Sequence, residues 1–427
     1  MLSNSRIFSY LKPKSEFSQN VLTLMTGTAI AQAIPIAISP ILTRLYTPAD
    51  FGVLAIFMAI IGIFGAIMSG RYEMAIMLPK KDEDAINIVA LGFIIIVGIT
   101  LFASLFIALF HQQIVFLFNN DEISIWLYFI PLTLFFTGFF NLLTYYNNRK
   151  KHYKEISNAT ILKSIILSII QLLVGFIKHG ATGLISGQII STIFANMTLL
   201  KIITKDKKLV SKISITKMLA LAKKYKDFPK FQVPHAFTGG LSLSAPIYVL
   251  SSFFSLSVVG FYSLSTKIIF MPLMIIAGAS AKVFNQQITN IYNSKGDSYQ
   301  FATNVLKSLL KKVFIPFVIV VIFAPIIFEL VFGEAWREAG VYTQILSPWI
   351  LLNVLVSTIS YIPSLVNMQK KAFILSIVHV VFITIALLAG AYFSDIYLSL
   401  VLFSITQSLI LLYNLQWMLK ALKEGKK

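Results

Sequence analysis

The sequence predicts an all-α membrane protein with twelve transmembrane helices arranged as two lobes of six. Of the 427 residues, 57% are hydrophobic and only 12% are charged, whereas a soluble domain carries about a quarter charged residues. The apolar residues also form continuous runs of about 20, the length of a helix that crosses a bilayer. These runs lack the strict alternation that a membrane β-barrel requires.

Twelve apolar runs follow one another along the chain, six before and six after a basic, polar stretch. They cover residues 20–43, 51–77, 85–110, 123–147, 157–178, 181–203, 231–254, 257–281, 312–332, 343–367, 371–393 and 395–419. The basic linker 205–230 therefore divides the chain into an N-terminal lobe (1–204) and a C-terminal lobe (231–427). Because each lobe has an even number of spans, both lobes enter the membrane from the same side. The two lobes would then be related by an axis along the membrane normal. Gly52 and Gly260, 208 residues apart, stand at matching helix starts.

The basic residues indicate how the spans are oriented. Of the 36 lysines and arginines, thirty lie in one alternating set of connections and termini, three in the other set and three within spans. Cytoplasmic loops carry such an excess, so both termini are predicted to face the cytoplasm. The net charge of +19 follows from this arrangement, and nucleic acid is not an expected partner.

Two polar segments on the predicted cytoplasmic side interleave apolar residues with lysines. They are Lys205–Lys230 and Asn285–Lys312. We expect both to form amphipathic helices on the anionic inner leaflet. A docking site for a partner protein is the alternative interpretation.

The residues offer little enzymatic chemistry. The chain has no cysteine, which excludes thiolate nucleophiles and sulfur-ligated metals, and it has no phosphate-binding G-x-x-x-x-G-K-[ST] loop. Its five histidines are scattered, so no catalytic residue, metal site or cofactor is predicted. The connections on the predicted outer side are short. A membrane-embedded polysaccharide-synthesis enzyme is therefore the weaker class of function.

The stretch GTAIAQAIPIAISPILTRLYTPADFGVLAIFMAI (27–60), followed by GRYEMAIMLPKKDEDA (70–85), resembles the bacterial oligosaccharide flippases of lipopolysaccharide and capsule synthesis. These Wzx-type proteins belong to the multidrug/oligosaccharidyl-lipid/polysaccharide exporter superfamily. The resemblance implies a V of two lobes around a solvated cavity. It also implies that an undecaprenyl-pyrophosphate-linked oligosaccharide crosses the bacterial cytoplasmic membrane by alternating access. A multidrug or small-cation antiporter of the same superfamily is the alternative.

The same resemblance sets the expected partners. They are the lipid-linked oligosaccharide and the membrane lipids, with the polysaccharide polymerase and chain-length proteins as further candidates. The polysaccharide made would be O-antigen, capsule or another surface polymer.

Four cationic residues are candidates for binding the anionic cargo. In related flippases, arginines on the first, second and eighth spans line the cavity. Arg44 and Arg71 are candidates for the first two of these positions. Both side chains could instead simply reach the membrane interface by snorkelling. Lys267 lies in the middle of span eight, where an unpaired charge costs about 2.5–3.5 kcal/mol. Lys163, early in span five, can also reach the interface. Arg71 and Glu73, two residues apart on a helix, are expected to point to different faces.

Overall fold

The computed structural model describes residues 16–118, 121–178, 180–205 and 207–424. These residues form helices and turns and contain no β-strand. The predicted cytoplasmic positions of the two chain ends concern residues 1–15 and 425–427, which lie outside the described residues.

Seven helices form the first half of the described chain. They are α1 (Glu16–Leu45), α2 (Pro48–Gly65), α3 (Asp82–Phe118), α4 (Ser124–Leu127), α5 (Ile130–Arg149), α6 (Tyr153–Ile177) and α7 (Thr182–Lys205). Two short helices follow, α8 (Lys207–Val210) and α9 (Ile215–Lys224). The second half contains α10 (Val233–Phe253), α11 (Leu256–Ser265), α12 (Met271–Asn293), α13 (Ser298–Ile322), α14 (Ala324–Phe332), α15 (Arg337–Thr358), α16 (Ile362–Leu365), α17 (Gln369–Tyr392) and α18 (Ile396–Glu424).

The prediction of an all-α membrane protein is confirmed. Ten helices of the described chain are long and apolar enough to cross a membrane, or 12 if each of two bent pairs forms one span. The bent pairs are α4 with α5, at 53°, and α13 with α14, at 70°. With these pairs counted as single spans, each of the twelve predicted apolar runs coincides with one span.

Outward-facing apolar side chains show which surface meets lipid. On α3, Leu101, Phe102, Leu105 and Leu109 are each more than half exposed. A row of large apolar residues this exposed would aggregate in water. The fold is therefore that of a multi-pass membrane protein.

The second span is shorter than the sequence predicts. The run 51–77 is predicted as one span, but α2 ends at Gly65, and a separate 3₁₀ helix covers Tyr72–Met77. Between them, Gly70 and Arg71 have φ angles of 60° and 62°. A right-handed helix cannot continue through two left-handed residues, so the chain turns before reaching the basic loop.

The two predicted amphipathic segments differ in outcome. In the linker, α9 buries Met218 and Leu221 and exposes Ile215 and Leu219, which is an amphipathic helix; its contact with the leaflet stays a prediction. Asn285–Lys312 does not form a separate helix, because its residues extend α12 and α13, which meet at a tight turn. In this segment α13 buries Ala302, Leu306 and Leu309 on one face, and its contact with the leaflet also stays a prediction.

Two capping residues start equivalent helices in the two halves. The Thr47 hydroxyl accepts the amide of Asp50 at 3.2 Å, and the Asp50 carboxylate accepts the amide of Thr47 at 2.8 Å. This reciprocal capping box begins α2. At the matching position, 208 residues later, the Ser255 hydroxyl accepts the amide of Val258 at 3.4 Å and begins α11.

The helices α2 and α11 then cross at two glycines. A Cβ atom on Gly52 would lie 2.1 Å from the carbonyl oxygen of Leu256, and a Cβ on Gly260 would lie 1.9 Å from that of Pro48. The contact is reciprocal, because each glycine packs on the first residue of the other helix. Such a contact agrees with a two-fold relation between the halves. Only glycine permits backbones to approach this closely.

Candidate functional site

Arg44 joins the two halves at the predicted outer end. Its guanidinium donates to the carbonyl oxygen of Val331 at 2.9 Å and to that of Leu330 at 3.5 Å, in the last turn of α14. It also donates to the carbonyl of Pro40 in its own helix at 2.6 Å. The carbonyls at the end of a helix lack partners and carry a partial negative charge. Arg44 therefore binds the protein itself in this conformation.

Trp336 closes the same end of the bundle. Its indole nitrogen donates to the carbonyl of Thr43 at 3.0 Å, and only 1% of the residue is exposed. Its ring meets Phe51 of the first half edge-on at 4.9 Å and Phe261 of the second half at 5.9 Å. Together with Arg44 and the α2–α11 crossing, this tryptophan joins the two halves at the predicted outer end, which is called the sealed end below.

Arg71 lies at the opposite end and forms an ion pair that the sequence interpretation excluded. Its guanidinium is 3.2 Å from the Glu73 carboxylate, which also accepts the Ser69 hydroxyl. The expectation that residues 71 and 73 face apart was wrong, because Arg71 is left-handed and helical spacing does not apply there. Glu73 is 2% exposed, whereas the Arg71 side chain is 21% exposed, so a buried carboxylate is held by a partly exposed guanidinium.

Variants of the Arg71–Glu73 pair test whether Arg71 has a structural role or binds the cargo. Arg71→Ala leaves a buried carboxylate uncompensated and should lower the free energy of unfolding by about 3 kcal/mol. Adding Glu73→Gln should restore part of this loss, because no buried charge then remains. Thermal unfolding of the purified variants measures both effects. If Arg71 instead holds cargo, both variants will lose transport while their unfolding stays unchanged.

Glu73 also gives this turn a pH dependence. Burial raises the pKa of its carboxyl, against the opposing effects of the Ser69 hydrogen bond and the Arg71 charge. A carboxyl with a raised pKa binds its proton more tightly in the folded state than in the unfolded state. The free energy of unfolding therefore falls as the pH rises from the unfolded pKa, about 4.3, through the raised value. Glu73→Gln should therefore flatten the stability profile above about pH 4.3.

Lys267 lies in a π-helical turn in the middle of the eighth span. The turn covers Thr266–Phe270 between α11 and α12, and Pro272 is the second residue after it. A proline has no N–H and its ring displaces the carbonyl four residues earlier, which widens the preceding turn. The Lys267 side chain is partly buried. It forms no hydrogen bond or ion pair with any residue that the structure describes.

Lys163 lies in α6 and faces an aromatic ring. Its ammonium group is 5.2 Å from the centroid of the Phe140 ring in α5, a cation–π contact. Within the described ranges, no carboxylate pairs with it. Lys163 thus resembles Lys267 in carrying an in-span charge without an acidic partner.

The four predicted residues do not form one cluster. Arg44 and Arg71 bind protein groups at opposite ends of the bundle, and the two lysines lie within different halves. No hydrogen bond or ion pair between described residues joins any two of them.

A cavity of about 350 Å³ that has several polar residues in a mainly apolar lining was missed by sequence reasoning. It lies where α2 of the first half meets the second half, lined by residues of α10, α11, α15, α17 and α18. Trp349 and Asn353, spaced by one helical turn, both line it, and this spacing was the available signal. The contribution of His379 and Gln407 could not be foreseen, because they come from different helices.

The chain matches one family model over most of its length. The model of the polysaccharide biosynthesis protein family matches residues 41–341. No curated protein matches the chain.

Solved structures of three membrane proteins resemble the fold. The lipid II flippase MurJ in an inward closed conformation has 14% identity and a TM-score of 0.73, covering 95% of this chain and 90% of its own. A variant of the Vibrio cholerae MATE transporter VcmN has 14% identity and a TM-score of 0.61, covering 95% and 96%. A MOP superfamily transporter from Pyrococcus furiosus has 14% identity and a TM-score of 0.58, covering 95% of each chain.

Identity this low shows a common fold only. The family match rests on the sequence itself and extends over more than half of the chain. The chain therefore belongs to the polysaccharide biosynthesis protein family, and its fold is that of the multidrug/oligosaccharidyl-lipid/polysaccharide exporter superfamily.

Proposed function

We propose that the protein is a flippase for lipid-linked oligosaccharides. Its cargo is an undecaprenyl-pyrophosphate-linked repeat unit, moved from the inner to the outer leaflet of the bacterial cytoplasmic membrane for O-antigen, capsule or another surface polysaccharide. Neither the pyrophosphate charge nor the sugar hydroxyls can cross hydrocarbon unassisted. The family match and the fold support this proposal.

The main support for this proposal comes from the charged residues within the spans. Lys163 and Lys267 have no acidic partner among the described residues, and no carboxylate of the described chain lies in the middle of a span. The nearest, Glu329, lies in the short helix α14 and pairs with Arg337 at 2.6 Å. Unpaired lysines in spans are costly unless they face water or an anion. This pattern favours an anionic cargo over the cations that a multidrug or small-cation antiporter exports.

Alternating access would open the sealed end. When the halves separate there, Arg44 loses the carbonyls of Leu330 and Val331 and needs new acceptors. A pyrophosphate leaving through this end supplies such oxygens. Arg44 then contacts the cargo late in the cycle, and Lys267 and Lys163 contact it earlier.

The proposed orientation places both termini in the cytoplasm, on the side with the excess of basic residues. The α1–α2 turn, with Arg44 and Trp336 beside it, then faces outward. A polysaccharide polymerase and chain-length proteins are the proposed protein partners, because they would consume the exported unit.

Deleting the gene tests the function. We expect surface polysaccharide to disappear while lipid-linked repeat units persist inside the cell, which extraction of the lipid fraction measures. Complementation with the wild-type gene is the control. Lowered resistance to cationic toxins with normal polysaccharide would show an antiporter instead. Display of a single repeat unit on the cell surface would contradict the flippase and indicate a polymerase.

A further inference from the structure

The cavity between α2 and the second half contains no strongly charged side chain. Its lining includes no lysine, arginine, aspartate or glutamate. A pyrophosphate would lack a cation there, and a cationic drug would lack a carboxylate. The occupant that fits this lining is therefore uncharged.

Two carboxamide groups that line this cavity have amino groups without a partner among the described residues. The carboxamide oxygen of Asn353 accepts the Ser357 hydroxyl at 3.0 Å, which leaves its amino group free. The Gln407 oxygen likewise accepts from His379 at 2.5 Å, which leaves the Gln407 amino group free. These two amino groups therefore remain able to donate, which favours a ligand rich in hydrogen-bond acceptors.

Aromatic rings form the remaining wall. Trp349 stacks on Phe270 with ring centroids 5.3 Å apart and meets Phe403 edge-on, also at 5.3 Å. These contacts hold the indole in place, and Trp349 is only 9% exposed. Ligand sites combine such apolar walls with a few placed polar groups, in volumes of about 300–1,000 Å³.

We propose that this cavity binds the uncharged sugars of the cargo. The oxygens of sugar hydroxyls accept hydrogen bonds from the amino groups of Asn353 and Gln407, and the apolar faces of the sugar rings pack on the aromatic wall. The lining residues Thr266 and Phe270 belong to the same π-helical turn as Lys267. The sugar site therefore adjoins the lysine proposed to hold the pyrophosphate. This inference rests on the proposed function and extends it.

Binding of two lipids tests the proposal. The probes are radiolabelled lipid-linked oligosaccharide, extracted from cells lacking this protein, and undecaprenyl pyrophosphate without sugar. The purified full chain is compared with Gln407→Ala and Asn353→Ala. Each variant should weaken binding of the oligosaccharide lipid about 3- to 10-fold, the effect of one lost hydrogen bond. Binding of the sugar-free lipid should not change.

The matched control is Asn414→Ala. Asn414 lies in α18, as Gln407 does, and accepts a hydrogen bond from the Trp417 indole nitrogen at 2.9 Å, and it does not line the cavity. This variant should bind both lipids normally, and unfolding temperatures should be similar for all variants. Equal weakening for both lipids, or no weakening, would overturn the sugar site. Wild-type protein that binds neither lipid would refute the proposed function and the sugar site with it.

Discussion

Lys267→Ala should abolish transport of the lipid-linked oligosaccharide while the protein stays at normal abundance. A hydrogen bond to a charged group contributes about 1.5–3 kcal/mol, so the loss should be at least about tenfold. Lys267→Arg keeps the charge with different donor geometry and should retain much of the transport. Lys267→Glu should eliminate it, because a carboxylate repels the pyrophosphate. Surface polysaccharide and the protein level in the membrane are measured together.

The control for this series is Lys307→Ala. Lys307 lies in α13 and is exposed, so its removal should leave transport nearly unchanged. If Lys267→Ala transports normally at normal abundance, the anion site must lie elsewhere, with Arg44 and Arg71 as the next candidates. A fall in abundance would instead show that Lys267 has a structural role.

Gly52→Ala should open the sealed end and disable the transport cycle. The added Cβ would lie 2.1 Å from the backbone oxygen of Leu256, and a backbone atom cannot move aside as a flexible side chain can. Overpacking of this kind costs about 1–3 kcal/mol, which shifts the balance between closed and open states about 5- to 150-fold. Gly260→Ala should act in the same way, because the contact is reciprocal.

Spin labels measure this opening. The chain has no cysteine, so Lys178→Cys in the first half and Tyr392→Cys in the second can be labelled without background. Both are exposed and lie at the predicted outer end. Their separation should lengthen in Gly52→Ala. The matched control is Gly62→Ala on the same helix, where a Cβ meets nothing within 4 Å. Unchanged distances and transport in Gly52→Ala would show that this crossing does not control the opening.

The sequence by itself determined the membrane-spanning plan. A segment in lipid must satisfy its backbone hydrogen bonds internally, so a long apolar run forms a helix whatever surrounds it. That constraint is local, and the twelve runs were therefore readable without the fold. The two lysines within spans were readable for the same reason. Gly52 and Gly260 stood at matching helix starts, although their mutual packing could not be read from the spacing.

Only the tertiary structure decided which partners the charged and polar residues have. Arg44 binds carbonyls almost 290 residues away in the chain. Every residue has a backbone carbonyl, so the sequence does not show which of them accepts a hydrogen bond from Arg44. Arg71 reaches Glu73 because its backbone is left-handed, a conformation that a non-glycine residue adopts only when surrounding contacts impose it. The cavity lined by Asn353 and Gln407 forms where α2, α15, α17 and α18 lie next to one another. This arrangement depends on packing between the helices and not on the sequence pattern within any one of them.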